Sequence, residues 1–243
     1  MEKITSVDNA QVKKWNKLHQ KKERDATGLF LVEGKHLIEE ALKYNAVELV
    51  LYEKECPFQN VDSQEVSKNV LDKLSSNPSG ADYIGICHLP KLELKKKERI
   101  LLLDGIQDPG NLGTLIRTAI SFSFDGIYCS KDTCDYLNEK VIRSTQGAIF
   151  QIPIFYVDLI ECIKELKEEN VQVIATTLQD AKTMKEIPPQ EKMAFILGNE
   201  GNGVSKEVSA CADTHLRIEM EGFESLNVAV AGGIILYHYR KEV

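Results

Sequence analysis

No stretch of the 243-residue chain approaches the roughly 18 consecutive apolar residues of a membrane-spanning helix, and Met1-Glu2-Lys3-Ile4-Thr5 lacks the apolar core of a secretory signal. The chain therefore reads as soluble and cytoplasmic. Clustered cysteine is also missing. Cys56, Cys87, Cys129, Cys134, Cys162 and Cys211 form no Cys-x-x-Cys pair and have no histidine nearby at a metal-ligand spacing. A disulfide framework and a structural zinc both lose support, and no metal is expected. Neither G-x-G-x-x-G nor a glycine-rich loop ending in G-K-[ST] occurs, which disfavours a nucleotide-dependent dehydrogenase and a P-loop NTPase. Excess positive charge is absent too: the net charge is −7, which taken alone argues against a polyanionic partner. There is no internal repeat and no low-complexity tract.

What is present is long enough, and at 43% hydrophobic residues apolar enough, to bury one large core or two smaller ones. Two units are expected. From Ile4 to about Pro90, helical stretches at Val12 to Gln20 and His36 to Lys43 alternate with apolar runs at Leu29 to Val32, Val47 to Leu51 and Tyr83 to Cys87, and Asn77-Pro78-Ser79-Gly80 reads as a loop. Within this half Lys13, Lys14, Lys17, Lys21, Lys22 and Arg24 cluster around Trp15 with Glu23 as the one acid among them. A solvated amphipathic helix explains such a cluster as readily as a polyanion contact does. The charged segment from Lys91 to Arg99 marks a boundary, giving units 1–90 and 100–243 with a linker over 91–99.

Beyond the linker the alternation is regular. Strands are expected at Ile100 to Leu103, Gly126 to Cys129, Gln151 to Tyr156, Val171 to Thr176, Ala194 to Leu197 and Leu216 to Met220. Helices are expected at Asn111 to Ser121, Asn138 to Gln146, Leu159 to Glu168 and Leu226 to Tyr239. The pattern implies an α/β fold with a mostly parallel sheet covered on both faces. Three glycine- and asparagine-bearing turns follow strands of that sheet: Asp104 to Thr114, Leu197 to Gly203, and Glu219 to Asn227. One such turn is ordinary helix capping, but open α/β sheets bind ligands at strand carboxyl ends, where all three fall. Asn111 is placed to cap the first helix and Ser225 the last. Arg117 lies off the apolar stripe of its helix, either as a plain surface cation or as a two-pronged clamp for phosphate or ribose. Asn227 has an amide free for a substrate hydroxyl or for the turn opposite.

The runs 106–119, 195–205 and 218–231, in order and at full length, resemble the three signature motifs of the SpoU/TrmH methyltransferases of the SPOUT superfamily. The resemblance spans Ile100 to Tyr239. Ile4-Thr5-Ser6 and Lys14 through Gly34 are similar to the ribosomal-protein-like α/β substrate domain that precedes the catalytic domain in many members. The resemblance implies S-adenosylmethionine-dependent methylation of an RNA ribose 2'-hydroxyl, in ribosomal or transfer RNA, by a homodimer with a deep trefoil knot near the C-terminus. It implies a catalytic role for Arg117, with Asn111, Glu200, Ser225 and Asn227 as the other motif polar groups. It places the methyl donor against Thr176, Leu197, Gly198, Ile218 and Leu226, and it turns the cations at Lys13, Lys14, Lys17, Lys21, Lys22 and Arg24 into an expected RNA contact. Gly232 and Gly233 are expected to serve packing.

No histidine or cysteine lies in the three motifs, so Arg117 is also the leading functional group by elimination. A guanidinium is almost never deprotonated in proteins, which favours a clamp on phosphate and oxyanion, with Glu200 or water accepting the proton. Two other readings stay open: an RNA-binding protein that keeps the fold without catalysis, and an α/β enzyme using another adenine-containing cofactor.

Overall fold

The computed structural model describes residues 2–178, 180–221 and 225–241, so Gly222, Phe223 and Glu224 of the third turn lie outside the described residues. The chain divides into two compact units, Met1–Lys91 with Asp135–Phe150, and Leu92–Cys134 with Gln151–Val243.

The first unit opens with α1 (Ala10–Asn16), a 3-10 turn at Lys17–His19 and α2 (Lys21–Thr27), then runs through β1 (Leu29–Glu33), α3 (Lys35–Leu42), β2 (Val47–Tyr52), β3 (Ser63–Glu65), α4 (Lys68–Leu74) and β4 (Tyr83–His88). Its sheet has the order β1-β4-β2-β3, antiparallel except between β2 and β3. Asn9 caps α1 through its side chain, and Val12, Trp15 and Leu18 turn inward to a core that includes Leu31, Leu51, Leu71 and Ile84. Trp15 is thus a core residue. Gly28 ends α2 in the left-handed region, φ +70°, which lets the chain turn directly into β1.

The second unit holds β5 (Arg99–Asp104), α5 (Pro109–Ser121) and β6 (Gly126–Cys129). The chain next forms α6 (Glu139–Thr145), which belongs to the first unit, and returns at β7 (Ile154–Tyr156). It continues through α7 (Leu159–Glu168), β8 (Gln172–Thr176), β9 (Lys182–Thr183), β10 (Met193–Gly198), α8 (Lys206–Ser209), β11 (Thr214–Arg217) and α9 (Val228–His238). The seven-stranded sheet has the order β7-β6-β5-β10-β8-β11-β9 and is parallel throughout. Central β5 and β10 are buried along their whole length, as strands covered on both faces must be. On one face Ile100, Leu102, Ala194 and Ile196 meet Leu159, Cys162, Ile163 and Leu166 of α7, whose i, i+3, i+4, i+7 spacing makes a single apolar stripe. On the other, α9 packs against α5 and β10. There Gly232 matters, because a Cβ on it would lie 2.4 Å from Leu115 and 2.9 Å from Leu197, whereas Gly233 has no atom within 4 Å of the corresponding position. The packing role expected of both glycines falls to Gly232.

The insert 135–150 departs from the boundary drawn from sequence, which left it in the second half. Its apolar residues supply the reason: Val141 and Ile142 are buried, and Phe150, fully buried, stacks on Phe30 of β1 at 6.2 Å between ring centroids. An ion pair and a histidine–carboxylate hydrogen bond fasten it. Arg24 Nη1 donates to the carbonyls of Leu18 and His19, both at 2.8 Å, while Nη2 pairs with Asp135; His19 Nδ1 lies 2.6 Å from the Glu139 carboxylate. Arg24, expected at an RNA surface, is instead only 4% exposed. A guanidinium with three acceptors under cover is an internal brace, and the cation cluster loses that member as a surface contact.

Candidate active site

Strands β5 and β10 pair in register up to Asp104↔Gly198, so the first and second turns leave the sheet side by side at its carboxyl edge. In the first turn the helix cap is Asp108, whose Oδ1 accepts from Asn111 N–H at 2.8 Å. This corrects the assignment of the cap to Asn111. Pro109 explains it, since proline's fixed φ and missing N–H suit the first helical position and make the preceding residue the cap. Asn111 is thereby released for another task. At the far end the same correction applies: Asn227, not Ser225, caps α9, its Oδ1 accepting from Ala229 N–H at 2.9 Å and Val230 N–H at 3.3 Å. Ser225 is exposed and its hydroxyl has no hydrogen-bond partner among the described residues.

The freed amides join the three turns. Asn227 Nδ2 donates to Asn111 Oδ1 at 3.0 Å, and Asn111 Nδ2 donates to Glu200 Oε1 at 3.0 Å. The Glu200 carboxylate also accepts from the backbone N–H groups of Gln107 (3.2 Å) and Asp108 (3.1 Å). Burial works to raise its pKa, but the Asn111 amide and these backbone donors outweigh burial and hold the carboxyl below the usual carboxylate range. A carboxylate so stabilised is a weak base, which counts against Glu200 as the proton acceptor and makes it a brace between turns.

Asn199, which the sequence reading passed over, organises the second turn. Its Nδ2 donates to Gly105 O at 2.8 Å, its Oδ1 accepts from Gly201 N–H (2.9 Å) and Asn202 N–H (3.1 Å), and its backbone exchanges two 2.9 Å hydrogen bonds with Gly203. Gly203, at φ +70°, closes that loop back onto Gly198, where a Cβ would stand 2.0 Å from Val204 N and 2.1 Å from Gly203 C. Asp104 Oδ2 accepts from Ser205 N–H at 2.8 Å and fixes the loop's exit. Asp108 was legible from Asp-Pro ahead of an apolar helical stripe; Asn199 had only its place after a strand, beside several glycines.

Three of the proposed donor residues, Thr176, Leu197 and Gly198, lie at a break in the ladder. Pairing between β8 and β10 stops at Ala175↔Ile196, while β10 follows β5 two residues further and β8 follows β11 to Thr176↔Leu216. Leu197 and Gly198 therefore leave the β8 ladder at this edge, and Thr176 Oγ1 donates to Ile196 O at 2.9 Å. Leu197 is buried, Ile218 half-buried and Leu226 exposed. Arg117 is exposed on the α5 strip that also carries Gly110 and Thr114, and its side chain has no hydrogen bond or ion pair among the described residues. Also among the described residues, no group of three or more His, Cys, Asp or Glu could hold a metal ion, and no helix is long and apolar enough to cross a membrane.

A parallel sheet whose carboxyl edge ends in three interlocked polar turns, beside a ladder break and an exposed arginine, has the architecture of an α/β enzyme that holds its ligand at strand ends. The chain belongs to the SpoU rRNA Methylase family, which matches residues 98–237, and residues 9–84 match the MRM3-like substrate binding domain. It is 40% identical to the 23S rRNA (guanosine(2553)-2'-O)-methyltransferase RlmP of Bacillus subtilis (strain 168), over 99% of this chain and 100% of that one. An AdoMet-bound rRNA methyltransferase from Sinorhizobium meliloti superposes with TM-score 0.88 at 30% identity, covering 98% of this chain and 97% of the other. A TrmH-family RNA methyltransferase structure from Porphyromonas gingivalis gives TM-score 0.86 at 26% identity, covering 97% and 98%.

Proposed function

We propose that the protein transfers a methyl group from S-adenosylmethionine to the 2'-hydroxyl of a guanosine ribose in 23S ribosomal RNA. The observation that carries the reading is the hydrogen-bonded chain Asn227–Asn111–Glu200, which holds three turns of the family together at one sheet edge. The methyl-transferase class comes from the family, and the Bacillus subtilis relative supplies the ribose oxygen and the ribosomal target. The residues fit the donor: Thr176, Leu197, Gly198, Ile218 and Leu226 combine apolar walls with backbone groups released by the ladder break, which suits an adenine ring and a neutral ribose. When bound, S-adenosylmethionine supplies a sulfonium-activated methyl group.

The chain's own task is then to place an oxygen nucleophile and to stabilise charge that develops on it. Arg117 holds a phosphate or the developing oxyanion with its planar fork, always protonated. Glu200 and Asn111 are positioning residues that keep the first turn rigid, Asn227 couples α9 to them, and water accepts the proton. With a tritiated donor and a transcript of the 23S region containing guanosine 2553, label is expected in the RNA at a ribose 2'-oxygen. The label should appear equally with EDTA present, since no metal takes part in the step. Label on a base would overturn the ribose assignment, and label abolished by EDTA and restored by a divalent ion, with RNA folding unaffected, would overturn the metal-free step.

The same reading includes RNA binding through the first unit, a trefoil knot in the second and a two-fold homodimer. Support for the knot is that β11, the last strand, lies between β8 and β9 in the sheet. Support for the dimer lies on α9. Ala229, Gly232, Ile235 and Leu236 face inward, while Val230 (51% exposed), Ile234 (37%) and Tyr237 (55%) form an outward apolar strip at i, i+4, i+7. Such a strip can meet itself across a two-fold axis as an isologous interface does. Light scattering at micromolar protein should report about twice the 27.3 kDa chain mass. Val230→Glu with Tyr237→Glu should return it to one chain mass, and an active wild-type monomer would sink the dimer.

A further inference from the structure

We propose that the RNA-binding face of the first unit is composite, completed by Lys140 and Arg143 of the inserted helix α6 from the second half of the chain. The inference rests on the reading that this unit binds ribosomal RNA and adds a part of the face that lies far away in sequence. Helix α6 has two sides. Val141, Ile142 and Thr145 point inward, and at 100° per residue Lys140, Arg143 and Ser144 fall together on the opposite side.

The acids and cations of the insert are sorted between those sides. Asp135 is consumed by Arg24 and Glu139 by His19, and these carboxylate side chains are only 15% and 16% exposed. Lys140 is exposed and Arg143 half-buried, and neither has an acidic partner among the described residues. The two clasps also fix where this positive side lies. His19 ends the 3-10 turn that begins at Lys17, and α2, with Lys21 and Lys22 in its first turn, follows directly. Thus Lys140 follows in sequence the residue that touches His19, on the flank of the expected RNA cations. Lys14, Lys17 and Lys22 are exposed and likewise have no acidic partner among the described residues, whereas Lys13 is paired with Asp8 at 2.9 Å. Acids that remain nearby include Glu23 and Asp25 on α2, and Glu33, which lines a small cavity with Arg143 and accepts hydrogen bonds from Ser75 and Ser76. A group of cations beside a segment whose own acids, Asp135 and Glu139, are turned inward to Arg24 and His19 matches a phosphate backbone, for which affinity follows the number of phosphates contacted.

The experiment uses the full-length protein and the transcript of the 23S region containing guanosine 2553. Lys140→Glu combined with Arg143→Glu should weaken RNA binding by at least ~10-fold and flatten the slope of log affinity against log salt, because each lost phosphate contact removes roughly 0.7–0.9 from it. S-Adenosylmethionine affinity and the melting temperature should stay at wild-type values. Lys54→Glu combined with Lys73→Glu, two exposed reversals elsewhere in the same unit, serves as the control for net charge. If the double variant binds RNA no more weakly than the control, the composite face is refuted. Should the double variant melt early, Lys140→Gln, which leaves the buried side untouched, becomes the deciding measurement, and wild-type affinity and salt slope there would refute the face as well. A wild-type protein that neither binds nor methylates the transcript would instead overturn the function from which the inference starts.

Discussion

Arg117→Ala should lower methyl transfer by roughly 10²- to 10³-fold, the usual loss when one preorganised donor to a developing oxyanion is removed, with S-adenosylmethionine affinity unchanged. The site explains both halves of the expectation. Arg117 stands exposed on α5, with no side-chain partner among the described residues, so its removal leaves no buried group unsatisfied. The proposed donor residues sit on β8, β10 and the C-terminal segment, not on α5. Arg117→Lys keeps the charge but loses the fork and should fall between the two. Single-turnover kinetics with donor titration separates rate from binding, and an alanine variant with wild-type turnover would remove Arg117 from the mechanism.

The second large effect is expected at Gly198. A Cβ there would meet backbone atoms at 2.0 and 2.1 Å, and backbone cannot rotate away as a flexible side chain can. Overpacking costs about 1–3 kcal/mol where side chains can yield. At Gly198 the loop held by Asn199 has to open instead, so Gly198→Ala should cost at least the upper figure, roughly 6–12 °C in melting temperature for a chain of this size. Donor binding should be lost with it. Scanning calorimetry and donor titration read the two effects, and a variant that melts and binds as wild type would refute the close approach.

Sequence periodicity located most of the framework, because strands buried on both faces and helices with one apolar stripe leave strong patterns. The strand Gly126–Cys129 and the helix Leu159–Glu168 match their expected limits. Elements that rest on few apolar residues escaped: β9 is the dipeptide Lys182–Thr183, and β3 is Ser63–Glu65, a polar edge. In the candidate site the residue types were legible while their division of labour was not. Asp108 and Asn227 cap the helices, releasing Asn111 to bridge turns, and only the spatial neighbours reveal that exchange. Arg24 shows the same limit for charge: nothing local separates it from the lysines before it, and its burial depends on Asp135, 111 positions away. An amphipathic stripe also announces that a helix needs a core without saying which one, so α6 could not be assigned to the first unit from sequence.

That assignment has a temporal side. During synthesis the first unit has all of its sheet once residue 91 is made, yet the partner that covers Phe30 arrives with Phe150. At about 5–20 residues per second the wait is on the order of 3–12 seconds, long beside the folding of a small domain. Through that interval the growing chain carries an apolar patch on β1 with its cover still unmade, and the N-terminal unit is completed only after β5, α5 and β6 of its neighbour have been translated.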